Sequence, residues 1–172
     1  MRIEHAVATL VLACAASICF AATVPEGLKV PANEILSLES RATGVQIYSC
    51  SARKDDPSKY EWTLSAPEAE LRDVSGKRIG RHYAGPTWES DDGSKVVGEV
   101  KSRDNGPDAS AIPWLLLVAK SNSGNGVFAK TTSIQRLDTV GGKAPADGCE
   151  ASQAGRQMRV PYTATYLFFS PR

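Results

Sequence analysis

The sequence predicts an all-β protein: a single-domain antiparallel β-sandwich or a small β-barrel, with one disulfide. Eight or nine short segments with strand-like apolar patterns are separated by turn signals about every 8 to 14 residues. No stretch keeps an apolar period of 3.6 residues, and the segments leave no room for the helices of a parallel α/β fold. At 172 residues the chain is long enough for one domain with its own core.

Residues 1–22 have the pattern of a signal peptide, which leaves residues 23–172 as a single all-β domain. Residues 6–20 are uncharged and apolar or small, and this run is too short to span a bilayer as a helix. Small residues near its end place cleavage after Ala21 or Ala22. The alternatives are a buried N-terminal helix and lipoprotein processing with acylation of Cys14. We expect a periplasmic or secreted protein with no transmembrane segment after the leader.

The charge and cysteine content narrow the partners and the covalent framework. The net charge is +1, and removing the leader takes away one base and one acid, so nucleic acid is not an expected partner. Two cysteines then remain, Cys50 and Cys149, and an isolated pair in an exported protein predicts one disulfide. With no CxxC spacing, the pair predicts neither a zinc site nor a redox motif.

In the N-terminal half, residues 24–31 contain two prolines and predict an extended lead-in. Alternating patterns predict strands at residues 45–50 and 60–64. Residues 68–72 fit either a helical turn or a strand, and a serine-glycine turn after them favours a hairpin that returns through residues 79–83.

In the C-terminal half, Asp92-Gly93 is a strong hairpin signal, with a return strand at residues 95–101. Residues 112–119 are the most apolar run after the leader and predict a strand covered on both faces. Residues 127–137 alternate as a long strand. Residues 159–169 predict a last, aromatic strand that closes the core.

The best candidate site is the segment of residues 81–94, which holds the one histidine outside the leader. The candidate binding residues in it are His82, Tyr83, Trp88, Glu89 and Asp91. We interpret the protein as a non-enzymatic binder of a small molecule or a cell-envelope component. One alternative is a hydrolase with His82 as general base, which needs a hydroxyl nucleophile and an orienting carboxylate. Another alternative is a structural or interaction module with an exposed apolar patch or sheet edge.

We expect no cofactor and no metal site. A single histidine excludes a histidine-rich zinc or copper site within one chain. A calcium loop aligned on Gly93 would put Trp88 at an acidic ligand position. Of the three tryptophans, Trp62 and Trp114 are predicted to lie in the core, and Trp88, beside a polar turn, to be partly exposed.

The chain resembles the domain of unknown function 3455 family, which comprises exported proteins of bacteria and fungi. The likeness covers essentially the whole chain after the leader, and the residues that carry it are GVQIYSC (44–50), APEA (66–69), HYAGPTWE (82–89), DGS (92–94), IPWLLL (112–117), IQRLDT (134–139), GG (141–142), AP (144–145), Cys149 and VPYTA (160–164). The resemblance implies export and one all-β domain, without an established activity. Some fungal members carry a malate dehydrogenase label, which does not transfer because this chain has no glycine-rich dinucleotide fingerprint.

Overall fold

The computed structural model describes residues 23–172, which form one closed barrel of eight antiparallel strands in sequence order. The predicted signal peptide, including Cys14, lies outside the described residues. The strands are β1 (Glu34–Ala52), β2 (Tyr60–Arg72), β3 (Arg78–Tyr83), β4 (Thr87–Ser90), β5 (Lys95–Asp104), β6 (Trp114–Ser123), β7 (Ser133–Gly141) and β8 (Gln157–Pro171). The barrel closes because β1 pairs with β2 on one side and with β8 on the other. The all-β prediction is confirmed, and the barrel is the architecture found.

Alternation along β8 shows why these residues form a barrel wall. Tyr162, Ala164, Tyr166 and Phe168 are all buried and belong to the main core cluster, as their spacing of two predicts. The residues between them lie on the other face. This last strand pairs with both β1 and β7, so it closes the core as predicted.

The apolar strand β6 is covered on both faces, which confirms its prediction. Leu117 packs in the main cluster, whereas Leu116 packs in a second cluster together with Leu28. Leu28 comes from the lead-in, which contains a short 3-10 helix (Glu26–Leu28) rather than being extended throughout. Gln135 fixes the lead-in, since its Nε2 donates to the Leu28 carbonyl over 2.6 Å.

Several strand boundaries differ from the sequence patterns; β1, for example, begins at Glu34 rather than at residue 45. The ambiguous segment at residues 68–72 is the end of β2. Strand β7 begins at Ser133 rather than at residue 127, because the preceding residues turn and place Phe128 in the core. The Phe128 ring lies 4.7 Å from the Phe168 ring, so tertiary packing outweighs the local alternation.

The predicted disulfide between Cys50 and Cys149 is confirmed, with an S–S distance of 2.05 Å and a Cα–Cα distance of 5.4 Å. It ties the end of β1 to the loop before β8, which contains a second 3-10 helix (Ala151–Gln153). Trp62 also holds this loop, since its Nε1 donates to the Asp147 carbonyl over 3.0 Å.

Two of the three predictions for the tryptophans are wrong. Trp62 is only half-buried, because its indole covers the disulfide loop at the surface, whereas Trp114 is in the core as predicted. Trp88 was expected to be partly exposed, yet it is 1% exposed. Its register opposite His82 turns the indole into the barrel. Across residues 23–172, no helix has the length and apolarity needed to cross a membrane.

Candidate functional site

The barrel contains a cavity of about 380 Å³ beside the hairpin of β3 and β4. Its walls are largely apolar and include Leu64, Pro67, Val100, Leu115 and Leu117. Residues from all eight strands line it, so the site exists only once the barrel has closed. A cavity of this size and character is typical of a small-molecule site.

His82 and Trp88 form one wall of this cavity. They are directly opposite each other on β3 and β4, and their rings stack with centroids 4.4 Å apart and planes 13° apart. Tyr166 packs edge-on against both rings. The hairpin thus presents two of the predicted site residues on the same inner face.

The imidazole of His82 is neutral in the folded barrel. Its Nδ1 lies 2.8 Å from the Thr87 carbonyl, so Nδ1 carries the proton and donates it, and Nε2 is left as an acceptor. Burial lowers the pKa of His82 to about 3; the Thr87 hydrogen bond opposes the shift, and the positive charge of Arg136 adds to it.

This buried imidazole predicts an acid-sensitive contribution to stability. The unfolded chain takes up a proton below a pKa of about 6.5, whereas the folded protein does not, so stability falls as the pH falls below that value. Between pH 7 and pH 5 we expect wild type to lose about 2 kcal/mol more than His82→Asn, whose amide can still donate to Thr87. Urea unfolding at pH 5, 6 and 7 measures the difference. If the free energy of unfolding fell equally with pH in the two proteins, this would contradict a neutral, buried His82.

Three buried polar atoms of the cavity residues have no hydrogen-bond partner within residues 23–172. They are Gln46 Nε2, Trp88 Nε1 and the Tyr166 hydroxyl oxygen. Leaving a buried polar group unpaired costs about 1–3 kcal/mol. Their concentration around one cavity is therefore costly for folding.

Arg136 brings a positive charge to the same cavity from β7. Its Nε and one Nη donate to the Pro113 carbonyl over 3.1 and 2.8 Å, which fixes the guanidinium. No ion pair among the described residues includes Arg136. The cation is held in place by a neutral carbonyl group.

The other predicted candidates lie on the outer face of the barrel. Glu89 accepts from the Tyr83 hydroxyl over 2.8 Å and pairs with Arg81, because residues next to inward-facing ones point outward. The hydrogen bonds from Arg81 and then Tyr83 lower the pKa of the Glu89 carboxyl. Asp91 pairs with Arg78. The inner cavity thus contains His82 and Trp88 but not Tyr83, Glu89 or Asp91.

The comparison with known families agrees with the resemblance seen in the sequence. A family described as "Protein of unknown function (DUF3455)" matches residues 31–170. The chain belongs to the DUF3455 family. No curated protein and no solved structure matches it.

The cavity differs in character from a wider depression on this DUF3455 barrel. That depression, of about 610 Å³, is lined by residues of β1, β2, β3 and β8, with His82 and Tyr83 among them, and carries charges of both signs. Those charges pair with each other, as in Arg159 with Glu68 and Arg78 with Glu70. Side chains that already have partners gain little from a ligand, so the inner cavity is the better candidate.

The geometry around His82 lacks the carboxylate that the predicted hydrolase would use in this DUF3455 member. A hydrolase of the kind considered needs a carboxylate on the imidazole, and Nδ1 contacts the Thr87 carbonyl instead. Within residues 23–172, no group of three or more His, Cys, Asp or Glu side chains is arranged to hold a metal ion.

Sequence reasoning missed Gln46, Arg136 and Tyr166, which reach the cavity from β1, β7 and β8. Arg136 had a recognisable signal: it occupies the same alternating face of its strand as the apolar Ile134. An arginine at an inward position of a DUF3455 strand is costly unless it serves a purpose. Gln46 gave a similar signal between apolar neighbours.

Proposed function

We propose that this protein is an exported barrel that binds a small amphipathic organic molecule in the cavity beside His82 and Trp88. The observation that carries this proposal is the set of unpaired buried atoms, Gln46 Nε2, Trp88 Nε1 and the Tyr166 hydroxyl, around an otherwise apolar cavity. A ligand with polar atoms at one end would complete their hydrogen bonding. Its apolar part would lie against the leucine and proline walls.

The architecture supports a binding role. An eight-stranded barrel is just wide enough to hold either its own side chains or one small ligand. In this barrel, Phe128 and Phe168 pack together in the core without lining the cavity. The barrel is therefore filled in one part and open in another, which is the arrangement a binding protein uses.

The rival functions have less support. Closure of the barrel pairs every described strand with a neighbour on each side along at least part of its length, so free sheet edge is confined to parts of strands, such as β2 before Ala69. The hydrolase hypothesis requires a carboxylate that orients His82, and the Thr87 carbonyl occupies that position instead. Of the two ligand classes expected from the sequence, a small molecule fits the cavity directly, and an envelope component fits where an amphipathic part of it can enter.

Export is supported by two features. A disulfide that joins residues 99 positions apart is typical of oxidising compartments outside the cytoplasm. Residues 1–22 have the composition of a signal peptide. We propose that the barrel acts in the periplasm or outside the cell.

The three tryptophans allow a direct test of the binding site. The uncharged apolar dye N-phenyl-1-naphthylamine is titrated into the protein while the indole N–H signals are followed by NMR. We expect one dye per barrel and a shift of the Trp88 signal, because Trp88 lines the cavity.

Trp62 and Trp114 are built-in controls for this experiment. The Trp62 indole is bonded to Asp147 at the disulfide loop, and Trp114 packs in the second cluster, so neither signal should move. The Trp88 shift should also disappear in Leu64→Trp, which narrows the mouth, and persist in Val74→Trp on an exposed turn. Dye binding that leaves Trp88 unmoved, or no binding by any apolar probe, would overturn the proposal.

A further inference from the structure

The charges around the cavity are all of one sign. Arg136 and Arg103 line it, and no aspartate or glutamate does. No ion pair among residues 23–172 includes either arginine. Other arginines of the barrel do pair, as Arg81 does with Glu89. The cavity therefore carries uncompensated positive charge in apolar surroundings, where an anion is attracted most strongly.

Arg136 is positioned to contact a ligand rather than a protein group. Its Nε and Nη2 both donate to the Pro113 carbonyl, and its Nη1 donates to no group among the described residues. The guanidinium is thus anchored on one side by a backbone carbonyl, and its other side, beside the Tyr166 hydroxyl, has no carboxylate partner. An anchored guanidinium loses little conformational freedom when it binds an anion, which favours affinity.

The unpaired neutral groups point to the same chemistry. Gln46 Nε2 and Trp88 Nε1 can only donate, and the Tyr166 hydroxyl can donate as well as accept. A ligand that satisfies these atoms must offer several acceptors. An ionised carboxylate is acceptor-only, with two oxygens and about four lone-pair sites.

The mouth of the cavity indicates what the anionic group is attached to. Leu64 and Val100 line the cavity and are 52% and 40% exposed, although both are large apolar residues. Exposed apolar side chains around an opening mark a place where an apolar surface docks. A fully hydrophilic anion would gain nothing from them.

We propose that the ligand of this cavity is an organic carboxylate with an apolar body, whose carboxylate binds the side of Arg136 beside the Tyr166 hydroxyl. This inference rests on the proposed function and narrows it to a ligand class. Aliphatic and aromatic carboxylates share the required chemistry. The aromatic walls at His82 and Trp88 and the aliphatic rim give each of them apolar surface to contact.

The test compares carboxylates with uncharged alcohols of the same shape. Displacement of N-phenyl-1-naphthylamine is measured at pH 7.5 with decanoate against 1-decanol, and with phenylpropanoate against phenylpropanol. Charge-assisted hydrogen bonds are about twice as strong as neutral ones, so we expect each acid to bind about tenfold tighter than its alcohol. The tighter of the two acids then tells whether the body is a chain or a ring.

Variants at Arg136 assign the preference to one side chain. Arg136→Gln should remove the tenfold preference, so that each acid and its alcohol bind within about twofold of each other, while Arg136→Lys should keep most of the preference. Lys101→Gln is the matched control, because it removes the same charge from an exposed position of β5 that does not line the cavity. It should leave the preference intact.

The outcomes separate this inference from the proposed function. Alcohols that displace the dye as well as the acids do would overturn the carboxylate assignment and leave a neutral small-molecule site. An acid preference that survives in Arg136→Gln would overturn the role of Arg136, and its loss in Lys101→Gln would do the same. If Arg136→Gln does not fold, the acid-to-alcohol ratio in wild type and Arg136→Lys decides the ligand class. Failure of every probe would overturn the proposed function itself.

Discussion

Removal of the Cys50–Cys149 disulfide is expected to lower the free energy of unfolding by roughly 4–5 kcal/mol. The bridge joins residues 99 positions apart, and closing so long a loop restricts the unfolded chain far more than the folded one. The double variant Cys50→Ala/Cys149→Ala is the suitable change, because Cys50 is 1% exposed and a buried serine hydroxyl would add a cost of its own. Urea unfolding of this variant and of wild type measures the difference.

The folded barrel should change little when the bridge is lost. Backbone hydrogen bonds from Cys50 to Arg156 and from Gly155 to Cys50 keep the ends of the loop together, and Trp62 still holds Asp147. Wild type treated with a reductant should unfold at the same urea concentration as the double variant. Dye binding should persist in both, since neither cysteine lines the cavity. A loss of less than about 1 kcal/mol would contradict the loop-entropy argument.

The sequence predicted a strand correctly where inward-facing and outward-facing residues alternate over a long segment. Residues 159–169 alternate over a full strand, and β8 (Gln157–Pro171) has the predicted inner face. The four-residue strand β4 is too short to display a period, so nothing local showed that Trp88 faces inward. The alternation at residues 127–131 wrongly predicted a strand. Phe128 is buried there because it packs against Phe168, and not because it lies on the inner face of a strand.

The candidate site was predictable only in part. His82 and Trp88 lie on adjacent strands of one hairpin, so a local sequence segment already contained both. Gln46 and Arg136 reach the cavity from β1 and β7, and their proximity depends on barrel closure and on register shifts such as that between Ile47 and Tyr48. Such shifts leave no signal in a single sequence. What a sequence can reveal is a polar residue at an inward position of an alternating strand.

Replacing Trp88 by alanine is expected to cost about 3–5 kcal/mol of stability, the usual range for removing a fully buried tryptophan. The indole is 1% exposed and touches three aromatic partners: His82, Tyr166 at 5.3 Å and Phe168 at 6.0 Å between ring centroids. Trp88→Phe should cost clearly less, because it keeps a ring on His82 and removes an indole N–H that has no partner among residues 23–172. Thermal and urea unfolding of the two variants give the comparison.

Gly98 provides the control that ties this cost to packing. A Cβ placed on Gly98 would lie 2.9 Å from Trp88 Cζ3, so the glycine on β5 leaves the space that the indole fills. Gly98→Ala alone should therefore cost about 1–3 kcal/mol through overpacking. In the double variant Trp88→Phe/Gly98→Ala the added methyl group meets a smaller ring. The stability lost in the double variant should therefore be smaller than the sum of the losses in the two single variants. Strict additivity would mean that the indole and the glycine do not share one packing constraint, and the wall of the cavity at Trp88 would then be adaptable rather than preformed.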